Sequence, residues 1–260
     1  GESVVDAGAQ TCGSEGASYC PCHPVAPPPV SVLASVVIPT RDHPELVEMA
    51  HATLGLPGAA RLEGIFVDNA TSDPLAKSLL ASTPHRVVHA PIPFNFARLV
   101  NRGAAAAHGD VIVLLNNDVE ARVDGWLDAL LSPFADPDVG IVGITLEYPS
   151  GRIQHAGIDV LAGVPYHAYQ RDQWGELPDE IRGHTSEPLA VTGACMAVRA
   201  DLWRDLGGMS TPLATNYNDV DLCLRARRCG SRVVCVPFRG LVHHESESRG
   251  TRSTPEIAAD

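Results

Sequence analysis

The segment Leu114-Leu115-Asn116-Asn117-Asp118-Val119-Glu120 carries the sharpest chemical signal in the sequence. An apolar run ends in two amides and a carboxylate, and a second acid follows two residues on. Hard divalent cations such as Mg²⁺ or Mn²⁺ take oxygen ligands, commonly one or two carboxylates together with phosphate oxygens of a substrate. The plainer alternative is a polar strand-to-loop turn. Two more apolar runs end the same way. Ser35–Ile38 leads to Thr40, Arg41 and Asp42, and Gly64–Val67 leads to Asp68 and Asn69. Taken singly, these acids have structural explanations: Asp42 as the cap of a helix opening at Pro44, and Asp68 as the anchor of its own turn. Taken together they crowd polar tips onto one rim, and in an open parallel sheet ligands bind at the carboxyl ends of the strands.

Competing chemistries lack their residues. Thr40-Arg41-Asp42-His43-Pro44 stands where a dinucleotide-binding fold needs a glycine-rich turn, and no GxxxxGK[ST] or GxSxG segment occurs. Cys12, Cys20, Cys22 and His23 cluster near the start, but the Cys-Pro-Cys spacing is tighter than usual zinc-ligand pairs. Cys195, Cys223, Cys229 and Cys235 fall in apolar or helical stretches and read as reduced, buried thiols, the usage of a reducing cytoplasm. With 31 acids against 19 bases and a net charge of −12, no nucleic-acid partner is expected, although one local phosphate site remains compatible. No run approaches the length of a transmembrane helix.

The elements that must hold these residues alternate. Strands are expected at Ser35–Ile38, Gly64–Val67, Arg86–His89, Val111–Leu115 and Val139–Thr145. Between them lie helical stripes: Leu46, Val47, Ala50 and Leu54; residues 75–81; Phe96, Leu99, Val100, Ala104 and Ala107; and Trp126 to Phe134. That alternation predicts an α/β fold, a mostly parallel sheet with helices on both faces. Residues 146–187, rich in Gly, Pro, His and Tyr, read as loops and short edge strands. A strand over Leu189–Val198, a helix over Ala200–Leu206, a helix over 219–229 and a strand over Arg232–Val236 follow. Residues 1–34 end in prolines and read as a linker or the tail of an upstream region, and 251–260 as a C-terminal tail, so the chain reads as a piece of a longer protein.

The order of Ser35-Val36-Val37-Ile38-Pro39-Thr40, Val67-Asp68-Asn69, the Asn101–Gly109 helix, Leu115-Asn116-Asn117-Asp118, Thr192-Gly193-Ala194-Cys195, Asn218-Asp219-Val220-Asp221 and His243-His244-Glu245-Ser246 resembles family 2 glycosyltransferases of GT-A fold, especially bacterial enzymes of O-antigen and surface-polysaccharide assembly. The resemblance runs over residues 35–250, with 35–145 as the nucleotide-sugar half and 146–250 as the acceptor and catalytic half.

The resemblance implies an inverting enzyme that moves a sugar from a nucleotide-diphosphate donor, more often a pyrimidine nucleotide, to a saccharide or lipid-linked saccharide. It would work in the cytoplasm, at the inner membrane face where the acceptor is lipid-linked. By the same resemblance Asp219 is the catalytic base and Asp118 the ligand of Mn²⁺ or Mg²⁺, with His243 beside it. Thr40, Asp42, Asp68, Asn95, Arg98, Asn101 and Asn117 would bind the donor, with Asp68 on the base and Arg98 on phosphate. Gly193, Ala194 and Asn218 would lie on the sugar side, and Tyr148, His155, Tyr166, His167, Tyr169 and Trp174 would belong to an acceptor lid. Two departures stand out, because Asn116 and Asn218 occupy positions where the family carries acids. They keep alive a catalytically silent nucleotide- or glycan-binding domain as the second reading. A sugar-nucleotide nucleotidyltransferase is the third, although it wants a basic, glycine-rich loop after the first strand.

Overall fold

The computed structural model describes residues 32–244. Cys12, Cys20, Cys22 and His23, the greater part of the 1–34 segment, Glu245 and Ser246 of the last motif, and the 251–260 tail lie outside the described residues.

The first half alternates as the apolar pattern dictates: β1 (Leu33–Thr40), α1 (Pro44–Leu54), β2 (Arg61–Asp68), α2 (Pro74–Ser82), β3 (Arg86–His89), α3 (Phe96–Ala104), β4 (Val111–Leu115), β5 (Val119–Ala121), α4 (Trp126–Leu131) and β6 (Val139–Ile144). A 3₁₀ turn, Ser132–Ala135, finishes the stripe that opens at Trp126. Pro133 supplies no N–H for another α turn. Residues 146–187 hold β7 (Leu146–Glu147), β8 (Ile153–His155), β9 (Ile158–Leu161), β10 (Val164–His167) and the short α5 (Asp179–Gly183). The chain then forms β11 (Cys195–Arg199), α6 (Ala200–Asp205), α7 (Asn218–Arg228), β12 (Arg232–Val236) and β13 (Leu241–His243).

Seven strands make the main sheet in the order β12-β6-β11-β4-β1-β2-β3. All are parallel except β11, which runs against both β4 and β6. Alternation along each strand feeds two cores. Ala34, Val36 and Ile38 of β1 and Val113 and Leu115 of β4 meet α1 and α4 on one face. Val37, Ile112 and Leu114 meet α3, α6 and α7 on the other. Gly103 sets the distance of α3 from the sheet, since a Cβ there would sit 2.3 Å from Val37 Cγ1.

Three expectations change. The strand expected over Leu189–Val198 starts only at Cys195, because residues 192–194 turn aside and the Gly193 amide donates to the Asp219 carboxylate instead of to a ladder partner. Asp42 does not cap α1. His43 holds the cap position without a side-chain bond, and Asp42 Oδ1 instead accepts from the Ser72 and Asp73 amides, tying the rim of β1 to that of β2. Cys229 is exposed just past the end of α7, whereas Cys195, Cys223 and Cys235 are buried thiols pushed up to about 12, chiefly by loss of solvent.

A second sheet, β5-β13-β7-β8, begins with the strand that follows the carboxyl end of β4. β13 runs antiparallel to β5 with His243 opposite Val119, which carries the histidine to the side of Asp118.

Candidate active site

A cavity of about 890 Å³ opens at the carboxyl ends of β1, β2 and β4. It is lined by Pro39 to His43 and Asn69 from the ends of β1 and β2, by Asn116 to Asp118 from the end of β4 with His243, and by Thr192 to Ala194 with Thr215 to Val220. Gln154, Ile158, Pro165, Tyr166, His167 and Gln170 close it from the β8–β10 side. Asp118 and Asp219 therefore share one chamber, although 101 residues separate them in the chain.

Asp118 is buried, and its Oδ1 lies 3.2 Å from His243 Nε2. The other ring nitrogen, Nδ1, meets Gln154 Oε1 at 2.8 Å. A carbonyl oxygen only accepts, so when Gln154 presents Oε1 the ring proton is on Nδ1. In the neutral ring Nε2 is then a lone pair directed at a carboxylate oxygen that itself makes no hydrogen bond. Two acceptors facing each other in a buried place repel unless a cation or proton lies between them. The Asn116 amide, 3.4 Å from the same Nε2, completes the local polar set. Among the described residues no group of three His, Cys, Asp or Glu side chains converges on a metal position, in keeping with an amide at position 116. His244 turns away to Glu120, at 2.9 Å.

Asp219 enters on the first turn of α7, where the helix amides favour an anion. Its Oδ2 accepts the Gly193 N–H at 2.9 Å and its Oδ1 accepts its neighbour Val220 N–H at 2.8 Å. Before it, Tyr217 holds a left-handed backbone (φ 60°), uncommon for a bulky residue, which sets its half-exposed ring on the cavity rim. Asn218 is buried against Leu213 O, and Asp221 pairs with Arg225 at 2.8 Å one turn on.

Of the residues expected to bind the donor, Thr40, Asp42 and Asn117 line the cavity, with Asn117 Nδ2 3.3 Å from Thr40 Oγ1. Backbone N–H groups of Asp73 and Ser72 hold the Asp42 carboxyl below the usual carboxylate range. Four other sequence candidates stand outside the wall. Asn95 is spent on capping α3 and on Thr211 O. Asn101 clasps both backbone groups of Met209. Arg98 is exposed on α3, on the side away from the buried stripe. Asp68 accepts from Thr71 N and meets His89 Nδ1 at 3.0 Å; burial raises its pKa, but these hydrogen bonds outweigh it and keep the carboxyl below the usual range. Phe96 and Leu99 of this helix line the cavity, while Asn95 and Asn101 are held by the backbone at Thr211 and Met209 and Arg98 faces solvent. Gly193 and Ala194 do line it, but their amides are engaged with Asp219 and with Thr192 Oγ1.

Glycosyl transferase family 2, as a family model, matches residues 35–186. The chain belongs to that family. The family 2 domain is 34% identical over 230 residues to the O-antigen biosynthesis protein RfbC of Myxococcus xanthus, covering 85% of this chain and 18% of that one. It is 25% identical over 253 residues to the N-acetylglucosaminyl-diphospho-decaprenol L-rhamnosyltransferase of Mycobacterium tuberculosis, covering 88% and 81%. Among solved structures it resembles the mannosyltransferase PcManGT of Pyrobaculum calidifontis, in complex with GDP-Man and Mn²⁺, with a TM-score of 0.65 at 20% identity over 87% of this chain and 61% of that one. That likeness shows the GT-A fold. The domain spans only 18% to 26% of the length of its two 34%-identical relatives. No helix among its described residues is long and apolar enough to cross a membrane.

The sequence of this glycosyltransferase domain placed Arg41 on the rim without assigning it a role, and did not mark Gln154. Among the described residues, Arg41 is the one lysine or arginine in the cavity wall, and it follows β1 directly; the signal was its place beside Asp42. Nothing in sequence marks Gln154, which meets His243 only through the pairing of the small sheet. Of the lid residues, Tyr166 and His167 reach the cavity wall, and His155 packs fully buried behind them. Tyr148, Tyr169 and Trp174 stand outside that wall. Burial, then the neighbouring His167 and His243 rings, holds the His155 imidazole neutral, well below its ordinary pKa. Below about pH 6.5 the unfolded chain binds a proton at this ring that the folded chain refuses, so stability falls as pH falls, by about 1.4 kcal/mol per pH unit. His51 and His85, also lowered by burial, add the same sign. Thermal melting at pH 5.5 is expected well below that at pH 7.5, and equal midpoints would refute this account of the ring.

Proposed function

We propose that the domain transfers a sugar from a nucleotide-diphosphate donor to a saccharide hydroxyl with inversion at the anomeric carbon, as one part of a longer enzyme that builds a bacterial surface polysaccharide. The observation that carries this reading is the shared chamber, lined by both an unsatisfied buried carboxylate (Asp118) and a fixed carboxylate (Asp219).

Asp118 and His243 are fitted to hold Mn²⁺ or Mg²⁺, with donor phosphate oxygens as further ligands in place of the acid that Asn116 replaces. When bound, the cation neutralises charge on the departing diphosphate. Arg41, which lines the same cavity from the end of β1, adds a cationic contact to the phosphates. Thr40, Asp42 and Asn117 border the nucleoside. Asp68, an ionised acceptor at the tip of β2, would read a pyrimidine N3–H once the largely exposed His89 ring swings off it. Asp219 takes the proton from the acceptor hydroxyl, and the Gly193 amide keeps its carboxylate in place during the transfer. A lipid-linked acceptor fits the open rim at Tyr166 and Tyr217 as well as a free saccharide does, with the domain then working at the cytoplasmic face of the membrane.

The test is an assay of the domain with UDP-, dTDP- and GDP-sugars, Mn²⁺ and a panel of saccharide acceptors, with product configuration read by proton NMR. Transfer with an anomeric centre opposite to the donor's supports the proposal. Tight nucleotide binding with no transfer to any acceptor would make this a binding domain instead.

A further inference from the structure

Among the described residues, the large apolar side chains left exposed gather around one place. Phe94, Tyr166 and Tyr217 line the cavity yet stay about half exposed, and Val160, Leu161 and Val164 lie on the β9–β10 hairpin. Leu75, on α2, is the exception. β9 and β10 form a sheet of their own, tied at its base by a bridge from Ile158 to Ala190. The base lines the cavity through Ile158, Pro165, Tyr166 and His167, and the tip, residues 160–164, carries no polar side chain. Consecutive cross-strand pairs point to opposite faces, so Leu161 and Val164 occupy one face of the tip while Val160 and Pro165 occupy the other. Both faces are apolar. The turn adds a second sign. Ala162 and Gly163 both have positive φ (51° and 84°), as in the two-residue mirror-image turn where Asn or Asp normally precedes Gly. Alanine fits that left-handed position less well than asparagine, but it keeps the tip free of polar side chains.

We propose that the β9–β10 tip inserts into the hydrocarbon boundary of a lipid bilayer, so that the cavity opens at the membrane surface onto an acceptor saccharide carried on a lipid. The lipid-linked acceptor rests on the transferase reading; the membrane contact does not. A protein partner would cover one face of so thin a hairpin, and three aliphatic side chains fall far short of the about 800 Å² that each side of a stable interface buries. Bilayer hydrocarbon surrounds the tip and covers both faces at once. Tyr166 stands two residues back from Val164, about 7 Å along the strand. That spacing puts an aromatic ring at headgroup level when the tip reaches the ~5–10 Å depth of interfacial segments. The contact is apolar rather than electrostatic. From Ile158 to Ala168 there is no lysine or arginine, the one acid, Asp159, sits opposite Tyr166 near the base, and the chain carries a net charge of −12.

Methyl NMR on the unmutated domain tests the contact, with leucine and valine labelled and phosphatidylcholine bicelles carrying a spin label near the end of the acyl chain. The Val160, Leu161 and Val164 methyls should broaden while those of core residues such as Leu114 and Val142 stay sharp. Co-sedimentation with phosphatidylcholine vesicles should fall about tenfold in the triple variant Val160→Thr, Leu161→Thr, Val164→Thr, whose β-branched residues keep the strands. Ala162→Asn, with the better turn residue, should melt no lower than the parent and still bind vesicles less. Binding should hold in about 0.5 M NaCl and gain nothing from added phosphatidylglycerol. No broadening at the tip, vesicle binding that the threonine variant retains, or binding that needs anionic lipid and vanishes with salt would overturn the proposal. So would a concentration-dependent dimer of the domain that the threonine variant abolishes. Failure of UDP and Mn²⁺ to bind would instead count against the transferase reading, and the vesicle result would still stand.

Discussion

Replacing Asp219 by Asn removes turnover while leaving donor binding intact, with kcat expected to fall by about 10²–10⁴-fold, the range for loss of a general base. Asparagine keeps the shape and one oxygen for the Gly193 N–H, giving up only the bond from the adjacent Val220 N–H, so the turn at 192–194 and the start of α7 persist. What disappears is the ability to take a proton from the acceptor hydroxyl. Because the residues proposed to border the nucleoside, Thr40, Asp42 and Asn117, come from the ends of β1 and β4 and not from α7, the affinity for UDP by calorimetry should be unchanged. Full transfer activity in Asp219→Asn would remove the base from the account, and loss of UDP binding would show that the residue serves structure instead.

The second large effect lies at Asp118, and it has two sides. Asp118→Asn takes away the one anion facing His243, so Mn²⁺-dependent donor binding and transfer should be lost. Asp118 Oδ1 is a buried acceptor without a hydrogen-bond partner that faces a second acceptor, His243 Nε2, and such an atom costs about 1–3 kcal/mol. An amide at position 118 can donate to that nitrogen, so the metal-free variant should melt higher than the metal-free parent. A variant that is more stable and unable to use Mn²⁺ is hard to explain by misfolding, which separates a ligand role from general damage. A variant that melts lower and still responds to Mn²⁺ would contradict the reading of this pair.

The fold was legible where periodicity is strict. The runs at β1, β2 and β4 are apolar over consecutive residues because both faces of the sheet are covered, and their polar ends mark the ligand rim. Asp118 could be named because it ends a strand whose location the pattern fixes, whereas Asp219 was named through the family resemblance and the pattern supplied only its place at a helix start. Legibility failed where direction, rather than position, decides. Asn95 and Asn101 sit on the right helix, but the same stripe that buries Leu99 and Val100 aims them at Thr211 and Met209. Asp42 lies beside a proline that invites a capping role, yet its carboxylate serves amides thirty and thirty-one residues later. Gln154 is the plainest case. Its contact with His243 spans 89 residues and depends on how β8, β7 and β13 assemble into one small sheet, which no local pattern encodes.

The central claim is that Asp118 and His243 seat a divalent cation against the donor diphosphate, in the same chamber as Asp219. Diffraction from crystals grown with UDP and Mn²⁺, recorded at the manganese absorption edge, tests it directly. The account predicts a single strong anomalous peak bonded to Asp118 and to a phosphate oxygen, with His243 Nε2 turned toward it and the nucleoside along Thr40 and Asn117. A nucleotide bound in the cavity with no manganese signal at Asp118 would contradict it.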